Sequence, residues 1–187
     1  MNCIIYQRRA AAAPSNGETP PLHLMNTEKR EHAFEPVFSE TSTRLVLGTM
    51  PSPQSVKHGF YYSHPQNRFW PLMAELFNAP KPLTPEEKTQ FVLQRDIALW
   101  DVLAVCDIAG ASDASIRNPV PNDIPWMLRR TRITRIYATG KTAFNLYEKL
   151  VFPTTGIHAV CLPSTSPANQ AMFPWPKLVE TWRQLFI

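Results

Sequence analysis

The residues of this chain that could do chemistry crowd into one stretch, Arg44 to Trp70, which reads RLVLGTMPSPQSVKHGFYYSHPQNRFW. A short apolar run, Leu45-Val46-Leu47-Gly48, opens there into a loop holding Tyr61, Tyr62, His64 and Asn67 among prolines. Tyrosine offers a flat face for stacking, and histidine a ring nitrogen for a phosphate or a base. Asparagine offers an amide oxygen that accepts a hydrogen bond without ionising. A second loop, Pro163-Ser164-Thr165-Ser166-Pro167-Ala168-Asn169, carries three hydroxyls that can bond phosphate, between prolines that stiffen it. Metal and disulfide chemistry is not indicated. The three cysteines, Cys3, Cys106 and Cys161, are odd in number, far apart and without CxxC spacing. Cys106 and Cys161 lie in apolar runs and read as small core residues.

These loops need elements to position them. Thr43 to Gly48 reads as a buried parallel strand, since a β-rich apolar run closes on glycine. In open α/β sheets ligands sit outside the carboxyl ends of the strands, so the long loop from Thr49 to Gln66 is placed at a binding site. An amphipathic helix starts at Asn67 or Arg68 and runs to Phe77, with Pro71 tolerable in its first turn. Asn67 precedes an apolar-periodic run, so it also fits a helix N-cap, and the two readings stand side by side. Thr84-Pro85-Glu86-Glu87 opens a further helix ending near Gln94.

Ile97 to Trp100 is a second strand, continuing through Asp101 into the polar run Gly110 to Ser115. Asn122 or Asp123 caps a short helix to about Arg130. Arg135 to Gly140 is the third strand, Lys141 to Leu150 a helix, Ile157 to Leu162 the fourth strand and Pro176 to Phe186 the last helix. The alternation predicts an α/β fold, a three-layer α/β/α sandwich around a central, mainly parallel four-stranded sheet.

With 187 residues and 44% hydrophobic content the chain is sized for one domain. Residues 1–26 hold an alanine run and Pro/Gly/Asn clusters without periodicity, so they are expected to be disordered, with the domain spanning 27–187. Met25 is an alternative start. No apolar run approaches a membrane span and no signal-type segment opens the chain, which reads as soluble and cytoplasmic. The net charge is +4, and residues 1–40 hold four basic against five acidic residues, so the body carries +5. A mildly basic body suits a phosphate-bearing partner. Arg129, Arg130, Arg132 and Arg135 form a basic cluster, either a solvated face or a contact to a nucleic-acid backbone.

Five segments in order carry a resemblance. They are Leu47-Gly48-Thr49-Met50-Pro51, Tyr61 to Trp70, Leu99-Trp100-Asp101-Val102-Leu103, Gly110-Ala111-Ser112-Asp113, and Leu162 to Ala168. The chain resembles the uracil-DNA glycosylase superfamily, most closely its hypoxanthine-DNA (deoxyinosine) glycosylase branch, over about Thr43 to Phe186. The resemblance implies a monofunctional enzyme without cofactor or metal, acting as a monomer on DNA that holds a deaminated base, hypoxanthine first. Such enzymes flip the nucleotide out and hydrolyse its N-glycosidic bond.

In the mismatch-specific relatives an Asn within Gly-x-Asn-Pro holds the attacking water; this chain has Met50 there, and a thioether cannot orient a water. The resemblance implies that Asn67 takes over that role, that Tyr62 stacks on the base, and that Gly48, Thr49, Met50, Pro51 and His64 line the base pocket. Ser164, Thr165 and Ser166 grip the DNA backbone on this reading. Asp101, Ser112 and Asp113 are placed to shape or read the base, and the His of the uracil-specific branch is replaced by Leu162.

Overall fold

The structure is a computed structural model that describes residues 27–110 and 112–186. Its first strand, β1 (Glu28–Glu31), is followed by β2 (Arg44–Gly48) and two short helices, α1 (Pro53–Lys57) and α2 (Phe69–Leu76). Helix α3 (Pro85–Leu93) leads into β3 (Ile97–Asp101), and only Val102 separates this strand from β4 (Leu103–Ile108). Then come β5 (Arg117–Pro121), α4 (Ile124–Leu128), β6 (Arg135–Thr139), α5 (Lys141–Leu150), α6 (Phe152–Thr155), β7 (Ala159–Leu162) and α7 (Trp175–Trp182).

The central sheet has the order β3-β2-β6-β7 and is parallel throughout. Leu45, Val46 and Leu47 in β2 and Ile97, Ala98 and Leu99 in β3 are fully buried, as strands covered on both faces must be. Helix α3 packs on β3, α5 on β6 and β7, and α2 on α7, which gives the helix-flanked α/β architecture expected from the alternation. Local chemistry fixes the helix starts. Thr84 accepts from the Glu87 N–H while the Glu87 carboxylate accepts from the Thr84 N–H, a complete capping box. Asp123 caps α4 by accepting from the Trp126 N–H.

Several features depart from the sequence reading. A second sheet, antiparallel and ordered β1-β4-β5, continues directly from β3. Its first strand is Glu-Lys-Arg-Glu, mostly exposed, and carries no apolar alternation to announce it. The loop after β2 contains α1, started by Ser52, whose side chain accepts from the Ser55 N–H, with Pro53 in the first turn. Cys106 is buried as expected, but Cys161 is exposed, because β7 is an edge strand and its middle residues face outward.

The arginine cluster also moves. Arg135 begins β6 beside Arg44, and the Arg132 N–H donates to the Ser42 carbonyl, so the cluster lies at the amino ends of the strands. That is a full strand length, about 15 Å at ~3.3 Å per residue, from the carboxyl ends. The expected disorder of residues 1–26 lies outside the described residues. Among the described residues no helix is long and apolar enough to cross a membrane.

Candidate active site

The parallel strands end in register, Gly48 beside Asp101 and Thr139 beside Leu162. The loops that leave these ends enclose a cavity of about 630 Å³, within the range of small-molecule sites. Gly48, Thr49, Met50, Pro51, Tyr62, His64, Asn67, Ser164, Thr165 and Ser166 all line it, joined by Asp101, Ser112 and Asp113. Segments more than a hundred residues apart in sequence thus meet in one concavity. Leu162 is not among the lining residues; it is fully buried, and its carbonyl accepts from the Gly140 N–H.

Tyr62 is held from three sides. Its ring stacks on Phe69 with centroids 4.0 Å apart and planes 14° apart. Its hydroxyl lies 3.4 Å from Thr139 Oγ1, whose own proton goes to the Leu47 carbonyl at 3.1 Å, so the tyrosine is the donor. Burial, and then the nearby Asp101 charge, push the Tyr62 hydroxyl far above its ordinary value, so it stays protonated. Its backbone has φ of 54°, a conformation that a bulky residue adopts only when its surroundings enforce it. Because fully buried Phe69 covers one face of the ring, the opposite face is the one available to the cavity. Tyr61, by contrast, is core, and its hydroxyl donates to the Glu35 carbonyl.

Asn67 does two things at once. Its Oδ1 accepts from the Phe69 N–H at 2.9 Å, which steadies the start of α2 and fixes the amide orientation. An amide oxygen has two lone pairs, so one remains, together with the Nδ2 donors. The helix-start reading and the water-holding reading are therefore compatible. His64 is oriented by its own loop, where Nδ1 accepts from the Gln66 N–H at 3.1 Å and leaves Nε2 as the free ring position.

The second loop is anchored from within and from α2. Ser164 Oγ accepts from the Ser166 N–H, and Asn169 Nδ2 donates to the Ser164 carbonyl. Gly140 has φ of 97°, and a Cβ there would stand 3.2 Å from Ser164 Cβ, so glycine lets the two loops approach. Thr165 is only 1% exposed, and its carbonyl accepts from the Arg68 N–H. It is a buried anchor, unlike the half-buried Ser164 and Ser166.

The acids form the remaining wall. Thr49 Oγ1 donates to Asp113 Oδ2 at 3.0 Å. Lost hydration pushes the Asp113 carboxyl up, the Thr49 bond partly offsets this, and the Asp101 charge adds to the rise. Asp101 is buried, and its Oδ2 lies 2.9 Å from His32 Nε2.

Sequence reasoning missed His32, Arg68, Thr139 and Asn169 as members of this neighbourhood. His32 sits in a polar segment without a pattern, and only the pairing of β1 with β4 brings it to Asp101. Arg68 stood inside the recognised segment but read only as a helix start. Its Nη1 donates to the Phe173 carbonyl at 2.6 Å, while Nε and Nη2 are buried without a partner among the described residues.

Comparison with known proteins agrees with this geometry. The family model of the uracil DNA glycosylase superfamily matches residues 35–186. A hypoxanthine DNA glycosylase of Methanosarcina acetivorans is 28% identical over 141 residues, covering 75% of this chain and 89% of that one. Its namesake in Methanosarcina barkeri is 28% identical over 142 residues, with the same shares covered. The solution NMR structure of a candidate uracil DNA glycosylase from Methanosarcina acetivorans superposes with a TM-score of 0.70 at 26% identity, covering 84% of this chain and 99% of that one. On the family match over residues 35–186, the chain belongs to the uracil DNA glycosylase superfamily.

Proposed function

We propose that this DNA glycosylase hydrolyses the N-glycosidic bond of a deaminated base flipped out of DNA, with hypoxanthine as its principal substrate. The observation that carries the reading is the convergence of Tyr62 and Asn67 on one cavity at the carboxyl ends of the sheet. Tyr62, backed by Phe69, supplies the stacking face, and Asn67 supplies the remaining amide oxygen lone pair to a water aimed at the sugar carbon. Gly48, Thr49, Met50, Pro51 and His64 form the pocket wall, with Met50 at the position where mismatch-specific relatives hold their water. Ser164 and Ser166 hold the DNA backbone while Thr165 anchors their loop.

Two curated relatives named hypoxanthine DNA glycosylase support the choice of base. One cavity takes one nucleotide, so the reading has a single chain, folded as one domain over 27–187, acting as a monomer in the cytoplasm. The test is base release from oligonucleotides carrying hypoxanthine or uracil, with the wild-type chain and Asn67→Ala. Hypoxanthine is released faster than uracil, and Asn67→Ala lowers the rate by about 100-fold or more. Undiminished release by Asn67→Ala would overturn the catalytic assignment, and faster release of uracil would overturn the choice of base.

A further inference from the structure

Behind the cavity a buried histidine meets a buried carboxylate. His32 Nε2 lies 2.9 Å from Asp101 Oδ2, with side-chain exposures of 6% and 5%. The other ring nitrogen, Nδ1, lies 2.8 Å from the Phe34 carbonyl and 3.3 Å from the Phe34 N–H.

The protons can be placed by elimination. If Nδ1 donates to the carbonyl, one proton lies in the Nε2–Oδ2 contact, on the ring or on Oδ2. If Nδ1 accepts from the N–H instead, the ring proton is on Nε2 and is donated to Oδ2. In every case Oδ2 is committed to His32 and Oδ1 carries no proton, so Oδ1 is an acceptor.

Oδ1 has no hydrogen-bond donor among the described residues, and Asp101 lines the cavity. A buried acceptor in that position is unfavourable until something supplies a donor. Oδ1 also crowds the point where a Gly48 side chain would begin, and Tyr62 Oη comes within 3.2 Å of that same point. The acceptor and the stacking ring therefore meet at Gly48.

Resting on the glycosylase reading, we infer that Asp101 Oδ1, held as an acceptor by His32, takes the lactam N–H of the flipped deaminated base. Hypoxanthine carries a hydrogen at N1 beside its carbonyl, whereas adenine carries a lone pair at N1. The amino hydrogens of adenine lie further out, where hypoxanthine has its oxygen. A fixed acceptor at this edge thus meets a donor in the deaminated base and a lone pair in its parent. Uracil and cytosine differ in the same way at N3. Asp101 is the specificity-determining residue, and His32 is the positioning residue behind it.

The test compares single-turnover release of hypoxanthine and of 1-methylhypoxanthine, in which a methyl replaces the N1 hydrogen. The wild-type chain prefers hypoxanthine by about 100-fold. Asp101→Leu keeps the bulk but removes the acceptor, so the hypoxanthine rate falls to that of the methylated base and the preference disappears. His32→Gln, whose amide can still donate to Oδ2, keeps the preference. A preference that survives Asp101→Leu intact reflects crowding of the methyl and overturns the inference. Equal release of both bases by the wild-type chain overturns it without any variant, which decides the matter should Asp101→Leu fail to fold. Release of hypoxanthine by the wild type separates the two levels of failure. Without it the substrate reading itself falls; with it only the role of Asp101 is at stake.

Discussion

Tyr62 lies flat against Phe69, with ring centroids 4.0 Å apart, and Phe69 is fully buried in the core. The proposed stacking platform is therefore braced from behind by a side chain that cannot yield without disturbing the packing of α2 against α7. Tyr62→Leu removes the platform and is expected to weaken binding of a flipped base by about 10- to 100-fold, from stacking worth ~1–3 kcal/mol per base. Tyr62→Phe keeps the ring and loses only a long hydroxyl contact, so it should stay within a few-fold of wild type. Equal losses in the two variants, measured by equilibrium binding of an oligonucleotide with a flipped or abasic site, would contradict the stacking role.

Gly48→Ala places a methyl group against Asp101 Oδ1 and close to Tyr62 Oη. Something must shift, and the buried carboxylate is bonded to His32, so the expected cost is about 1–3 kcal/mol of stability. Base release should drop more steeply than stability, because the wall, the stacking ring and the acceptor meet at this residue. Urea unfolding run beside the release assay separates the two effects. A fully active Gly48→Ala enzyme would show that the contact is loose.

Arg68 bonds the second loop twice, through its backbone N–H to the Thr165 carbonyl and through Nη1 to the Phe173 carbonyl. Arg68→Met keeps length and apolar stem but removes the second bond, and should cost about 1–2 kcal/mol. Hydrogen exchange should then quicken across 165–173 and remain slow in β2 and β6. Unchanged exchange in that segment would mean the loop is held by other contacts.

The capping box of α3 offers a control remote from the cavity. Thr84→Ala should lower stability by about 1 kcal/mol with base release unchanged. The Glu87 carboxyl is held below the usual carboxylate range by the N–H groups of Leu83 and Thr84. Its contribution is therefore present above the unfolded-state value and is lost as pH falls through the lower folded-state value. Glu87→Gln should flatten that part of the stability profile, which thermal melts between pH 3 and pH 6 would show, roughly the window of carboxylate titration.

The parts of the fold visible in the sequence are those written in local chemistry. Leu45 to Gly48 is apolar throughout because both faces of β2 are covered, and Thr84-Pro85 announces a helix because capping acts within four residues. The sheet direction follows from the alternation of elements. What stayed hidden depends on partners distant in sequence. Glu28 to Glu31 becomes a strand only because β4 offers it an edge, and His32 gains its role from a carboxylate 69 residues away. Cys161 looked like core because its run is apolar, yet position in the sheet decides exposure, and β7 lies at the rim. For the site the same division holds. Tyr62 and Asn67 stood out by type and spacing, whereas Arg68 beside them looked like an ordinary helix start until the Phe173 carbonyl came within reach.

Pinned at both ends by Arg68, the chain between Thr165 and Phe173 behaves as a cassette. Lengthening a surface segment between fixed ends costs little, since closure entropy grows only with the logarithm of length. Homologous proteins could therefore exchange this segment, and with it their grip on a strand, without shifting Asn67 next door. The same arginine that ties the loop down makes it replaceable.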